Sequence, residues 1–202
     1  MAPDTPYAPV WRIGPASRDA VVDVLADAFR ADPLAAWLFP DRISRTHYQA
    51  GFYGSLLDHP AAETHLAGDA AAIWLDLAPG RHLGDPAQEA APEDPALARL
   101  HALGAALAPR HPAGPHLYLA VMGVAASRQG SGLGTSLMRH RLDQADRDGV
   151  GTYLEASSPR SRAFYLRHGF ADLGEPVRLA DAPPLFPMWR HPAADTRPVH
   201  RR

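Results

Sequence analysis

The residues with the most chemical promise lie in one run, Arg128-Gln129-Gly130-Ser131-Gly132-Leu133-Gly134-Thr135. Its three alternate glycines follow an apolar stretch, Leu117–Val124, and open into a segment with helical spacing. Without Cβ atoms, an anion can come close to the main chain there. The free N–H groups of a helix's first turn, with the positive end of its dipole, then make a seat for a phosphate or pyrophosphate. Arg128 adds a positive charge, and Ser131 and Thr135 add hydroxyl donors. Three readings compete. A Walker A loop needs a lysine on the terminal phosphates, and the chain has none. A Gly-x-Gly-x-x-Gly dinucleotide site needs glycine where Thr135 stands. It also needs an acidic residue about 20 positions on, whereas Glu155 comes 25 after Gly130. The third reading is a turn that merely joins a strand to a helix.

Composition narrows the chemistry further. All 20 residues in the Lys+Arg count are arginine, and lysine, asparagine and cysteine are absent. Without cysteine there is no disulfide, thiolate nucleophile, thiolate-bound zinc or iron–sulfur cluster. Without lysine there is no Schiff-base chemistry. The 11 histidines are scattered, with no His-x-x-x-His pair on a convincing helix, so no metal is expected. A net charge of −2 predicts no nucleic-acid partner and no attraction to an anionic membrane. No apolar run approaches the ~20 residues of a membrane span. The first residues carry neither a basic nor an apolar leader region, so a cytoplasmic protein is expected.

The elements that must position the glycine run follow from where the prolines fall. There are 21, and none lies between His116 and Ser158, where continuous strands and helices are therefore free to form. The pattern predicts a strand at Val10–Ile13 and a helix from a Ser17 cap to about Arg30, stopped by Asp32-Pro33. A second helix spans Ser44–Leu57. Thr64–Leu66 and Ala70–Leu77 form a hairpin across Gly68-Asp69. A Pro/Gly/Ala-rich loop covers Ala78–Glu93, followed by a helix over Pro95–Leu107. His116–Val124 is a strand, Leu133–Asp148 a helix, Thr152–Ala156 a strand and Ser161–His168 a helix. Phe170–Leu173 and Phe186–Arg190 supply closing strands. The expected architecture is one α/β domain with a mixed sheet over residues 1–190, with a flexible tail at 191–202.

Gln129-Gly130-Ser131-Gly132-Leu133-Gly134 resembles the Gln/Arg-x-x-Gly-x-Gly/Ala signature of the GNAT acetyltransferase superfamily. The likeness continues through Tyr153-Leu154-Glu155-Ala156 and Ala163-Phe164-Tyr165-Leu166-Arg167-His168-Gly169-Phe170. Upstream, Leu107-Ala108-Pro109-Arg110-His111-Pro112 and Leu117-Tyr118-Leu119 are similar to the puromycin N-acetyltransferase branch. The specific part covers Ala108 to Phe170. It implies a mostly antiparallel central sheet with splayed central strands, flanked by helices.

The resemblance also implies acetyl-CoA as cosubstrate and a coenzyme site made by Arg128, Gln129, Gly130, Ser131, Gly132, Leu133, Gly134 and Thr135. Met122 and Val124 would offer their main chain to the pantetheine arm. Many family members carry an asparagine before the last helix; Ser158 and Ser161 stand there instead, and a serine hydroxyl can substitute. Tyr165 is the expected general acid, since a phenol near pKa ~10 is protonated at neutral pH. Glu155 is the expected general base, with ion pairing to Arg160 or Arg162 as the equal alternative; Asp76 and Glu63 are weaker contenders. Trp37, Phe39, Trp74 and Tyr118 are candidate acceptor contacts, and Trp37-Leu38-Phe39-Pro40 is expected in a connection between helices. The expected activity is acetyl transfer to a small-molecule amine, an antibiotic or aminonucleoside-like one included, by direct attack in a ternary complex. A protein or peptide N-acetyltransferase and a non-catalytic acyl-CoA-binding module are the alternatives, and a monomer or homodimer is expected.

Overall fold

The computed structural model describes residues 8–77 and 92–193. The expected loop Ala78–Glu93, but for its last two residues, and residues 194–202 of the expected tail lie outside them. Seven strands form one sheet in the order β1 (Trp11–Ile13), β2 (Ala62–Leu66), β3 (Ala70–Leu77), β4 (His116–Val124), β5 (Thr152–Ala156), β7 (Phe186–Arg190), β6 (Ala171–Asp172). Every pairing is antiparallel except β4 with β5. Helices α1 (Arg18–Ala28) and α3 (Arg45–Leu57) cover one face, while α5 (Leu133–Asp148) and α6 (Pro159–Leu166) cover the other.

Strand β3 shows why the sheet sits in the middle. All its residues but Asp76 are buried, as a strand covered on both faces must be. Ala70, Ala72 and Trp74 pack with Leu137, Met138 and Leu142 of α5. Ala71, Ile73 and Leu75 pack with Val21 and Leu25 of α1 and Tyr53 of α3. A third cluster joins Leu38 and Phe39 to Ala96 and Leu103 of α4 (Pro95–Leu107) and to Leu185. Leu38, Phe39, Leu103 and Leu185 share a cavity wall with Tyr118 to Met122 of β4, where the central strands part.

That parting has a visible cause. Between β3 and β4 the register runs Ile73↔Val121 and then Trp74↔Leu119, leaving Ala120 as a bulge. A bulge bends its strand and raises the local twist. Strands β4 and β5 pair only at Leu117↔Thr152 and Tyr118↔Tyr153, and beyond Tyr118 they separate. The expected splay is present.

Two local expectations change. Ser17 precedes α1 without a side-chain capping bond. Asp32-Pro33 both ends one helix and starts another, α2 (Pro33–Leu38). The Asp32 side chain accepts from the Ala35 N–H at 3.0 Å, with Pro33 in the first helical position. Trp37 and Leu38 therefore lie on a helix rather than in a connection.

Candidate active site

The turn after β4 is built by backbone conformation. Gly130 (φ +80°) and Gly132 (φ +88°) occupy the left-handed region that other residues enter only at a cost. Gly132 begins α5 with no side-chain cap, and the first helical bond runs from Ser136 N–H to the Gly132 carbonyl at 3.0 Å. The N–H groups of the preceding turn thus have no partner within the helix. Gln129, Gly130, Gly132, Gly134 and Thr135 line a cavity of about 670 Å³, with Met122 and Val124 on β4 and Ser158 and Ser161 at the start of α6.

Three expected coenzyme contacts sit differently. The Arg128 guanidinium is 3.7 Å from Asp69, and the Ser131 hydroxyl donates to the Arg128 carbonyl at 2.6 Å. Leu133 is packed in the core, leaving only its main chain for a ligand. The positive side-chain charge at this cavity comes instead from Arg160 and Arg167, which line it from α6 and just beyond. Nothing in their local sequence marks them; the packing of α6 beside the turn brings them there. Ser158 and Ser161 form a reciprocal capping box, each hydroxyl accepting from the other's backbone N–H at 3.1 Å. Both hydroxyls are therefore occupied in holding the helix start.

A second cavity, of about 200 Å³, lies across the split. Phe29, Asp32, Met122, Ser157, Ser161 and Tyr165 line both cavities, so the two meet along this seam. Glu155 and Tyr118 line the smaller one. The Tyr118 hydroxyl donates to Glu155 Oε2 at 2.8 Å, while Glu155 Oε1 is buried without a partner among the described residues. Burial pushes the Glu155 pKa from 4.5 up to about 7, against the lowering effect of the Tyr118 and Tyr153 phenols. Burial likewise pushes the Tyr165 phenol upward. Behind Glu155, the His111 ring packs edge-on against Tyr118 and Tyr153, with centroids 4.7 and 4.6 Å away. Burial drops the His111 pKa to about 4, so the ring is neutral at physiological pH.

The expected alternative for Glu155, an ion pair with Arg160 or Arg162, does not form. Tyr118 is its partner, and Arg162 pairs with Asp172. The weaker base candidates stand apart from both cavities. Glu63 meets Arg141 at 3.2 Å, and Asp76 is exposed at the end of β3. Phe39 and Tyr118 line the smaller cavity, but Trp37 and Trp74 line neither. Trp37 donates its indole N–H to Asp181 at 2.8 Å, and Trp74 is wholly enclosed in the core. Asp32, Ser157 and Gln49 are cavity residues that pattern reading missed. Asp32-Pro33 was legible as a helix boundary, but its place at the seam was not. Among the described residues no helix is long and apolar enough to cross a membrane, and no cluster of three metal-ligating side chains occurs.

Residues 90–170 match the model of the acetyltransferase (GNAT) family. The whole chain is similar to a solved Corynebacterium glutamicum protein described as "histone acetyltransferase HPA2 and related acetyltransferase". The two are 25% identical with a TM-score of 0.68, over 94% of this chain and 99% of that one. Its fold is also similar to that of arylalkylamine N-acetyltransferase 2 from Aedes aegypti (14% identity, TM-score 0.67, 91% and 98% covered). The Escherichia coli ribosomal-protein-S18-alanine N-acetyltransferase shares the fold at 15% identity (TM-score 0.56, 96% and 99% covered). With a matching segment that spans the glycine turn, Glu155 and Tyr165, this chain is an acyltransferase of the GNAT fold.

Proposed function

We propose that the protein transfers an acetyl group from acetyl-CoA to the amine of a small molecule, directly within a ternary complex. One observation carries this reading: two cavities of unlike character meet at the parted strands, with Tyr165 in their shared wall. The larger offers an uncapped helix start, an open glycine turn and two arginines, which suit a phosphate-bearing coenzyme. The smaller is mostly apolar and holds the Asp32 and Glu155 carboxylates, which suits an amine. Its 200 Å³ is below the ~300–1,000 Å³ of drug-sized sites, which favours a small acceptor over a polypeptide. An antibiotic or aminonucleoside-like amine, implied by the puromycin-branch resemblance, belongs to the same small-acceptor class.

Bound acetyl-CoA supplies an acetyl thioester, whose acyl carbon gains a C–N bond as its C–S bond breaks. Glu155, with a pKa of about 7, takes the proton the amine loses. Tyr118 holds the carboxylate in place through its hydrogen bond. Tyr165 stays protonated at neutral pH and donates to the departing sulfur. The main chain of β4 at Met122, free where β5 has turned away, offers hydrogen bonds to the coenzyme arm and the thioester oxygen. Chain chemistry admits no acetyl-cysteine route, since no cysteine is present.

Thiol release from acetyl-CoA, followed across small amines, peptides and proteins, tests the reading. Small amines should be turned over; coenzyme binding without turnover of any acceptor would mark a binding module instead. Tyr165→Phe should lower kcat about 10–100-fold and leave the KM for acetyl-CoA within about twofold. An unchanged kcat removes Tyr165 from the chemistry.

A further inference from the structure

The smaller cavity carries a narrower statement about its acceptor, and it rests on the acetyltransferase reading above. Most of its wall is apolar or aromatic: Phe29, Phe39, Phe52, Leu103, Leu107 and Leu185 are representative, from five parts of the chain. Only Asp32, Gln49, Glu155 and two serines add polar side chains besides tyrosines. Gln49 is nearly sealed, 3% exposed, and faces the Tyr53 hydroxyl at 3.5 Å. A polyhydroxylated acceptor would bring many hydroxyls into this wall, and each one left buried and unpaired weakens binding about 5–150-fold. An apolar body meets no such penalty.

The charged groups in this wall are both acidic. Asp32 sits at the seam with the coenzyme cavity, and Glu155, in the same wall, has one buried oxygen with no hydrogen-bond partner. Two carboxylates in an apolar cavity select for a cation. A protonated amine answers both, and no guanidinium or ammonium side chain lines the cavity to compensate them from within.

We propose that the acceptor is an apolar primary amine, aryl or branched aliphatic, admitted as its ammonium by Asp32 and deprotonated by Glu155. The first ammonium proton passes to the Glu155 carboxylate before the C–N bond forms, and the second leaves the nitrogen as the C–S bond breaks and replaces the proton that Tyr165 gives to the sulfur. Asp32 keeps its charge and steers the nitrogen to the seam. The six-residue helix behind it positions that carboxylate, because the Asp32 side chain caps α2. Asparagine caps as well as aspartate does, so Asp32→Asn removes the charge and preserves the helix start.

The experiment pairs turnover with calorimetric binding for phenethylamine, isoamylamine, glucosamine and a short peptide. Phenethylamine and isoamylamine should bind, and their kcat/KM should exceed that of glucosamine at least 100-fold. Asp32→Asn should raise the phenethylamine KM about tenfold or more, with a smaller change in kcat and a melting temperature near that of the parent. Turnover that favours glucosamine or the peptide overturns the apolar-amine proposal and leaves the acetyltransferase reading standing. Calorimetric binding of phenethylamine with acetylation of none of the four leaves an apolar-ammonium site standing and overturns the acetyltransferase reading, and with it the amine's role as acceptor. If the apolar amines neither bind nor react, the proposal fails outright. An unchanged KM in Asp32→Asn removes Asp32 from recognition.

Discussion

Glu155 carries the most consequential electrostatic feature of the site. Strand alternation predicted that it shares a face with Tyr153, yet nothing in the sequence says how deeply the carboxylate is enclosed. Enclosure sets its pKa at about 7, against 4.5 for a free side chain. The folded state therefore holds that proton more tightly than the unfolded chain. The associated stability is complete below pH 4.5 and is lost as pH rises through 7. Glu155→Gln should then be more stable than the parent at pH 8, by up to about 3 kcal/mol at ~1.36 kcal/mol per pKa unit. The gap should close toward pH 4.5, as thermal melts at several pH values will show. The same variant should lose about 10²–10⁴-fold in kcat, and the parent's kcat/KM should fall as pH drops below about 7. Equal stability of the two proteins at pH 8 would contradict the burial argument independently of any assay.

At the scale of elements, the glycine turn and α5 were the easiest part to read. Regular spacing, an apolar strand before and a helix after left little freedom. What the turn does with its side chains was less legible: Arg128 turns to Asp69, Ser131 bonds back to Arg128, and the backbone remains as the feature facing the cavity. Gly132 tests that view cleanly, because a methyl group there meets nothing within 4 Å. Gly132→Ala carries only the left-handed backbone penalty of about 1–2 kcal/mol. The expected result is a comparable loss in urea-denaturation stability, together with a several-fold rise in acetyl-CoA KM as the turn shifts. Helix α2 was missed for an equally local reason. Asp-Pro reads as a stop signal to the helix before it and as a cap to the helix after it, and only packing decides that both apply.

For the whole molecule, the weak seam between β4 and β5 is the organising fact. Two residue pairs join the four-strand half to the three-strand half, and the cavities occupy the space beyond them. A ligand that spans this gap adds contacts to both halves. Acetyl-CoA at about 100 times its Kd should stabilise the fold by about 2.7 kcal/mol. For a chain of this size that corresponds to a rise in Tm of roughly 5–10 °C. Differential scanning fluorimetry measures it directly; no shift at saturating concentrations would argue against a coenzyme site at the seam.

The sequence by itself determined the element order apart from α2, the glycine turn and the succession of strand and helix around it. These depend on periodicity, on glycine and proline chemistry, and on contacts between near neighbours. It also excluded lysine and cysteine chemistry outright, since a missing side chain is missing in any fold. The tertiary structure alone decided which polar groups share a cavity. Asp32 and Glu155 are 123 positions apart, and Trp37 and Trp74 looked as eligible for the acceptor as Phe39 did. Arg160 and Arg167 line the larger cavity, where Arg128 was expected, on the same terms. Distance through space, and the dielectric that burial imposes, are properties of the packed chain. No local pattern of residues encodes them.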